Sequence, residues 1–401
     1  MNHAESDTGS ERHSTLFSAY MHSAFFLTGV GILMLGPLLP RLTAQWNLLD
    51  SESGMLLAAQ FAGSYTGAVL LQSELRNSLA LGNLCMAAGY AGLAFAAYLH
   101  TTFLLGVTSL LVGGFGIGQL INSINLIAGR SAEAKRGAKL MSLNLTWSSG
   151  ALLAPLLIGL VRNRLSLHTL LTIFALCSLL LFVFWLSAAP ARGALAPQAP
   201  ETSELVDTAH RKQGSLRLLA YFAALFFLYG GFENSISGWL ATFAVRYAHA
   251  SVALGAYSTT MLWVGITAGR AFALLMLRRF SEKTLQLAAV IAAILAAALL
   301  HAATGATLLL FSSAVVGFCL APFIPVTSSL FIGTARPRAR AAGFVMASAA
   351  LGAAVLQWLV GIVSQHSGSL KLALGLPAVI GLLLLALCLP SSSRHFASTR
   401  S

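Results

Sequence analysis

The chain has 401 residues, of which 57% are hydrophobic and 9% charged, with a mean hydropathy of +0.79. A soluble domain carries roughly 25% charged residues, so composition excludes a water-soluble globular protein. The formal net charge of +12 does not point to nucleic acid, because the basic residues fall in short loops between apolar runs.

Residues 1–15 are polar, and the first apolar run continues past the length of a signal peptide, so no cleavable leader is expected. Continuous apolar runs of spanning length then recur along the chain. They are continuous rather than alternating, which favours helices over a barrel. Twelve spans are expected, at 16–40, 53–72, 78–99, 102–128, 138–160, 167–189, 216–245, 252–276, 284–302, 306–333, 341–364 and 370–390. The fold class is all-α. A six-helix half at 16–189 and another at 216–390 are joined by a Pro-, Ala-, Glu- and Arg-containing linker at 190–215, and a tail follows at 391–401. Pro322 and Pro325 in span ten read as kinks, either serving gating or simply structural.

The halves repeat each other. Ala19-Tyr20 and Phe25-Phe26-Leu27-x-Gly29 return as Ala220-Tyr221 and Phe226-Phe227-Leu228-x-Gly230. Gly67 and Arg76 return as Gly269 and Arg278, and Arg136, Gly150 and Gly159 as Arg338, Gly352 and Gly361. Three matches in order, at an offset of 201 or 202, imply a duplicated six-helix unit. Parallel repeats of that kind place a solute site at the midplane between the halves. Of the 24 Lys and Arg, Arg41, Arg162, Arg164, Arg246 and Lys371 fall in the loops on one side, and Arg270 lies within span eight; the other 18 are on the side of the termini. Both termini are therefore expected in the cytoplasm, with the chain in the inner (plasma) membrane.

Glu233 is the one acid among twelve that lies far from a span end, in Tyr229-Gly-Gly-Phe-Glu-Asn-Ser-Ile-Ser-Gly-Trp239. A carboxylate in hydrocarbon costs roughly 3 kcal/mol or more, and such residues mark ion and substrate paths. Burial suits it to carry a proton; the structural alternative is a polar clamp on a neighbouring helix. Gln119, Asn122 and Asn125 in span four share a face of about 120°, either lining a cavity or bonding a neighbouring helix. Asn144 beside Trp147 in span five suits a small polyhydroxylated solute, amide to hydroxyl and ring to the less polar face. Asn234 and Trp239 flank Glu233. Gln60, Trp263 and Gln357-Trp358 are weaker candidates. His22 reads as a packed or hydrogen-bonded group. Cys85, Cys177, Cys319 and Cys388 lie in apolar stretches without metal spacing. No Walker loop, nucleophile elbow or zinc motif is present, so neither an ATP-driven pump nor an enzyme is expected, and no cofactor or metal.

Twelve spans in two halves, a central linker, and glycine followed by basic residues after spans two and eight resemble the major facilitator superfamily over roughly 16–390. The loop signature is Gln72-Ser-Glu-Leu-Arg76 in the first half and Gly269-Arg270 with Arg278-Arg279 in the second. Phe25-Phe26-Leu27 with Pro40, Gly118 with Asn125, and Lys139-Leu140 with Asn144 and Gly150-Ala151 resemble the fucose–proton symporter-type sugar branch. Glu233-Asn234 with Trp239 resembles span seven of glucose-transporting relatives. The resemblance implies a monomer working by alternating access on a small solute. Glu233 would couple protons; Gln60, Asn122, Asn125, Asn144, Trp147, Asn234, Trp239 and Gln357 would contact solute; and Arg76, Arg270 and Arg278 would gate the cytoplasmic side. The acids of the fucose symporters are replaced by Gly36 and Ile121, so either Glu233 has taken over coupling or transport is not proton-driven. A Na⁺ site built from carbonyls and amides is less favoured. Proton-driven efflux of amphipathic drugs, and a non-transporting receptor on the same fold, stay open as alternatives.

Overall fold

The structure is a computed structural model that describes residues 2–71, 74–99, 103–129, 133–191, 195, 209–335 and 339–389; side chains are described at 15–71, 74–99, 103–129, 139–191, 195, 216–334 and 341–389. Most of the expected linker, the tail 391–401 and the residues Arg130, Arg192, Arg336, Arg338, Arg394 and Arg400 lie outside the described residues, as does the side chain of Arg136.

All described regular structure is helical. The elements are α1 (Asn2–Trp46), α2 (Asp50–Val69), α3 (Leu75–Leu99), α4 (Phe103–Gly129), α5 (Glu133–Val161), α6 (Leu167–Ala188), α7 (Ala209–Tyr247), α8 (Val252–Met276), α9 (Glu282–His301), α10 (Ala306–Leu320), α11 (Phe323–Ala335), α12 (Ala339–Ser367), α13 (Leu370–Ala373) and α14 (Leu376–Cys388). They follow the twelve expected spans, two of which are broken. Span ten is α10 plus α11, and span twelve is α13 plus α14. Pro322 sits in the first break, where its missing N–H and its ring prevent a continuous helix. Pro325 falls in the first turn of α11, where an N–H has no helical partner in any case. The expectation of two kinks is thus refined to one break and one tolerated proline.

Among the described residues, 11 segments are long and apolar enough to cross a membrane. The exception is α2, a 20-residue helix. Asp50, Ser51, Glu52, Ser53, Gln60, Ser64 and Thr66 dilute its apolar content. Serine caps start several helices: Ser166, Ser251 and Ser281 each accept from the backbone N–H three residues on, which satisfies one orphan donor per helix.

The chain forms two compact units. The first is Met1–Met34, Ala62–Ala154 and Leu165–Pro200; the second is Leu35–Phe61, Pro155–Arg164 and Glu201–Ser401. In the first, α3 packs on α4 and α6. The Tyr90 hydroxyl donates to the Gly31 carbonyl of α1 at 2.7 Å, and Asn83 donates to the Tyr20 oxygen at 2.7 Å. In the second, α7 packs on α12, α8 on α10, and α14 on both α7 and α9.

The duplication is visible atom by atom. A Cβ on Gly29 would overlap the Trp147 carbonyl of α5, and one on Gly150 the Phe26 carbonyl of α1. In the second unit Gly230 and Gly352 stand in the same relation to the Ala349 and Phe227 carbonyls, so α7 crosses α12 as α1 crosses α5. Backbones meet directly at both crossings, as small residues permit in membrane bundles. The turns that follow α1 and α7 match too: Asn47 and His249, 202 positions apart, both have a left-handed φ, 50° and 49°.

Candidate functional site

Glu233 lies in the middle of α7, partly buried. One helical turn earlier, and so on the same face, stands Tyr229, which is 2% exposed. Its hydroxyl oxygen is 2.5 Å from Glu233 Oε2 and 3.0 Å from the carbonyl oxygen of Leu320, the last residue of α10. The Tyr229 ring stacks on Phe323, the first residue of α11, with centroids 4.7 Å apart and planes 4° from parallel. Arg270 of α8 lies within electrostatic range of both Tyr229 and Glu233. A carboxyl and a phenol thus meet beside the α10–α11 break, within electrostatic range of a guanidinium. Sequence reading singled out Glu233 but gave no role to Tyr229 or the Leu320 carbonyl, and it put Arg270 within span eight with a role in cytoplasmic gating. The i, i+4 spacing of Tyr229 and Glu233 was the available signal.

The remaining candidates divide by what their polar groups do. In the first unit the Asn122 amide donates to the Ala68 carbonyl at 2.6 Å, and that of Gln119 to the Leu70 carbonyl at 2.7 Å. Both amides fasten α4 to the end of α2, which is helix pairing. Asn125 is partly exposed. Asn144 is exposed, and its amide donates to the Leu140 carbonyl one turn back. Trp147 is partly exposed. His22 pairs with the Thr146 hydroxyl at 2.9 Å.

In the second unit Asn234 is partly exposed and donates to the Gly230 carbonyl at 2.9 Å. Trp239 is fully buried, and its indole N–H donates to the Gln357 carbonyl at 3.1 Å, joining α7 to α12. Gln357 and Gln60 are each 1% exposed. In this conformation Trp239, Gln357 and Gln60 are interior groups. At Gly36 a Cβ would come within 3.1 Å of the Ser237 and Gly238 carbonyls, so a side chain there requires the α7 backbone to give by a few tenths of an ångström.

Two of the expected gating residues have distinct settings. Arg76 donates to the Pro190 carbonyl at 3.1 Å and lies over the Trp185 ring, 5.4 Å from its centroid, so it ties the start of α3 to the end of α6. Arg278 lies exposed in the turn after α8. A further polar cluster was not foreseen. Arg246, in the last turn of α7, binds Asp50, at the start of α2, through both guanidinium nitrogens at 2.8 and 2.6 Å, and the Ser364 hydroxyl of α12 donates to the same carboxylate at 2.5 Å.

Solved structures share this fold. A bacterial homologue of the human lysosomal transporter Spinster aligns at 13% identity over 97% of this chain and 98% of its own, with a TM-score of 0.75. The nucleoside transporter NupG aligns at 18% identity over 96% of this chain and 100% of its own, with a TM-score of 0.70. A D-xylose–proton symporter aligns at 16% identity over 94% and 98%, with a TM-score of 0.72. At these identities the likeness is one of fold. No curated protein matches the sequence. The family model described as Major Facilitator Superfamily matches residues 21–307. That match covers more than half of the chain and agrees with its helical architecture: the chain belongs to the Major Facilitator Superfamily and is a transporter, not an enzyme.

Proposed function

We propose that the protein is a secondary active transporter that moves a small, neutral, polyhydroxylated solute by alternating access, coupled to protons through Glu233. The carrying observation is a carboxyl at the middle of a spanning helix, partly accessible and hydrogen-bonded to one phenol. Such a group is costly in a membrane unless it is used. The sugar class is supported by the fold shared with a D-xylose–proton symporter and by the local resemblance to fucose-type sugar symporters. Asn125, Asn144 and Trp147 in the first unit, and Asn234 in the second, keep polar or aromatic surface available for hydroxyls. The distribution of Lys and Arg supports a plasma-membrane protein with both termini in the cytoplasm.

The test is transport in proteoliposomes under an imposed pH gradient. Wild-type protein accumulates the solute in response to the gradient. Glu233→Gln, which mimics the protonated carboxyl, binds and exchanges solute across the membrane but does not concentrate it. A Glu233→Gln protein that still concentrates solute excludes Glu233 as the coupling group.

A further inference from the structure

Tyr229 has one hydroxyl proton and two oxygen partners. The Leu320 carbonyl only accepts hydrogen bonds, and an ionised carboxylate also only accepts. With Glu233 ionised, the single proton serves one partner and leaves the other against a lone pair. With Glu233 protonated, the carboxyl O–H donates to Tyr229 and Tyr229 donates to Leu320, so all three groups are satisfied. Both contacts are present, at 2.5 and 3.0 Å. The arrangement seen here is therefore complete only when Glu233 carries its proton.

The far end of this chain of hydrogen bonds is a mechanical weak point. Leu320 closes α10, so its carbonyl is among those that a helix end leaves without a helical partner. Pro322 follows it in the break. Phe323, stacked on the Tyr229 ring, opens α11. Tyr229 thus holds both sides of the break, with its oxygen on the last carbonyl of α10 and its ring on the first side chain of α11. Among the described residues, the titratable groups that act on Glu233 are Tyr229 and Arg270 of α8. The helices α11, α12, α13 and α14, which also pack on α7, contribute no other. The switching group is the carboxyl.

We propose that Tyr229 is a positioning residue that transmits the protonation of Glu233 to the α10–α11 break. The protonated carboxyl holds α11 on α10 as seen here. Loss of the proton to water draws the Tyr229 hydroxyl to the carboxylate, frees the Leu320 carbonyl and lets α11 swing. This rests on the reading of Glu233 as the proton-coupling group, and it adds the route by which the proton moves a helix.

Spin labels at Gly305→Cys and Gly333→Cys report on the two ends of the broken span. Neither glycine has any atom within 4 Å of where a Cβ would lie, so both accept a label, in a full-length background with the four native cysteines replaced. In wild-type protein in liposomes, the distance between labels measured by pulsed electron resonance shifts between mildly acidic and mildly alkaline pH. Glu233→Gln holds the acidic distance at both. Tyr229→Phe loses the shift. A Tyr229→Phe protein that shifts like wild type, with Glu233→Gln still locked, overturns the role of Tyr229 and leaves Glu233 as the coupling group. A Glu233→Gln protein that still shifts overturns both. A wild-type distance that does not respond to pH overturns the link to the break. If Tyr229→Phe does not fold, a fluorotyrosine at 229 keeps the shape and makes the phenol a stronger donor. The midpoint of the shift then moves in pH, and an unmoved midpoint overturns the proposal.

Discussion

Arg246 grips Asp50 from 196 residues away, one guanidinium nitrogen to each carboxylate oxygen. The pairing is favoured by both helix termini, with an acid in the first turn of α2 and a base in the last turn of α7. Ser364 occupies part of the remaining accepting capacity of the carboxylate. Asp50 and Arg246 are 14% and 36% exposed, so the pair is more than a surface contact, though water still screens the arginine.

Asp50 lies ahead of the span expected at 53–72, and its titration has a definite sign. Partial burial pushes its pKa up, but the hydrogen bonds from Arg246 and Ser364 and the Arg246 charge outweigh that and hold it below the ordinary aspartate value. A carboxyl with a depressed pKa contributes stability that is fully present above its unfolded value, about 4, and is lost as pH falls through the folded value. The link between α2 and α7 should therefore be constant from about pH 5 to 8. Asp50→Asn should lower thermal stability by about 1–3 kcal/mol, with no change in the pH profile of transport. A transport profile flattened by Asp50→Asn would assign the pH response to this pair instead of to Glu233.

The glycine crossings predict a paired sensitivity. Gly230→Val or Gly352→Val should destabilise by about 1–3 kcal/mol or more, because a side chain must push two helix backbones apart. Gly29→Val and Gly150→Val should behave alike. Gly333→Ala, in open space on α11, should be neutral or stabilising by about 0.5–1 kcal/mol. Melting curves of detergent-purified protein give the comparison, and equal effects at Gly230 and Gly333 would contradict the close approach.

Stability and affinity should separate along the list of polar candidates. Trp239→Phe removes the donor to the buried Gln357 carbonyl and should cost about 1–3 kcal/mol of stability, with solute affinity little changed. Asn125→Leu and Asn234→Leu should leave folding intact and weaken binding of the transported solute by roughly 5- to 150-fold. Isothermal titration beside thermal melts distinguishes the two classes. Reversed behaviour, with Trp239→Phe weakening binding in a stable protein, would return Trp239 to the solute site.

Topology is testable with an impermeant thiol reagent in intact cells. With the termini in the cytoplasm, a cysteine at Ser367, the last residue of α12, is labelled from outside, and one at Ser203, in the linker, is not. Labelling at Ser203 alone would invert the arrangement.

The spans, the duplication and the mid-span position of Glu233 were legible because each is written locally, in run length, in offset and in one misplaced charge. The break in span ten was half legible: two prolines were plain, but which one ended a helix depended on where the turn fell. The Asp50–Arg246 pair was not legible, since nothing in either short loop names a partner so distant in sequence. The amides show the limit most clearly. Spacing put Gln119, Asn122 and Asn125 on one face, yet the face of Gln119 and Asn122 meets the carbonyls of Leu70 and Ala68, and periodicity does not say what a face meets. Arg270 was read by motif as a gating residue at the end of span eight, and the motif did not say that α8 carries it to within range of Glu233.

Gly29 meets α5 and Gly230 meets α12, so each crossing closes within one half of the sequence. A nick between α6 and α7 severs neither. Two polypeptides made separately would each carry their own crossing, and the covalent tether would chiefly supply a high effective concentration of one piece for the other. Continuity of the chain is therefore not what closes either crossing.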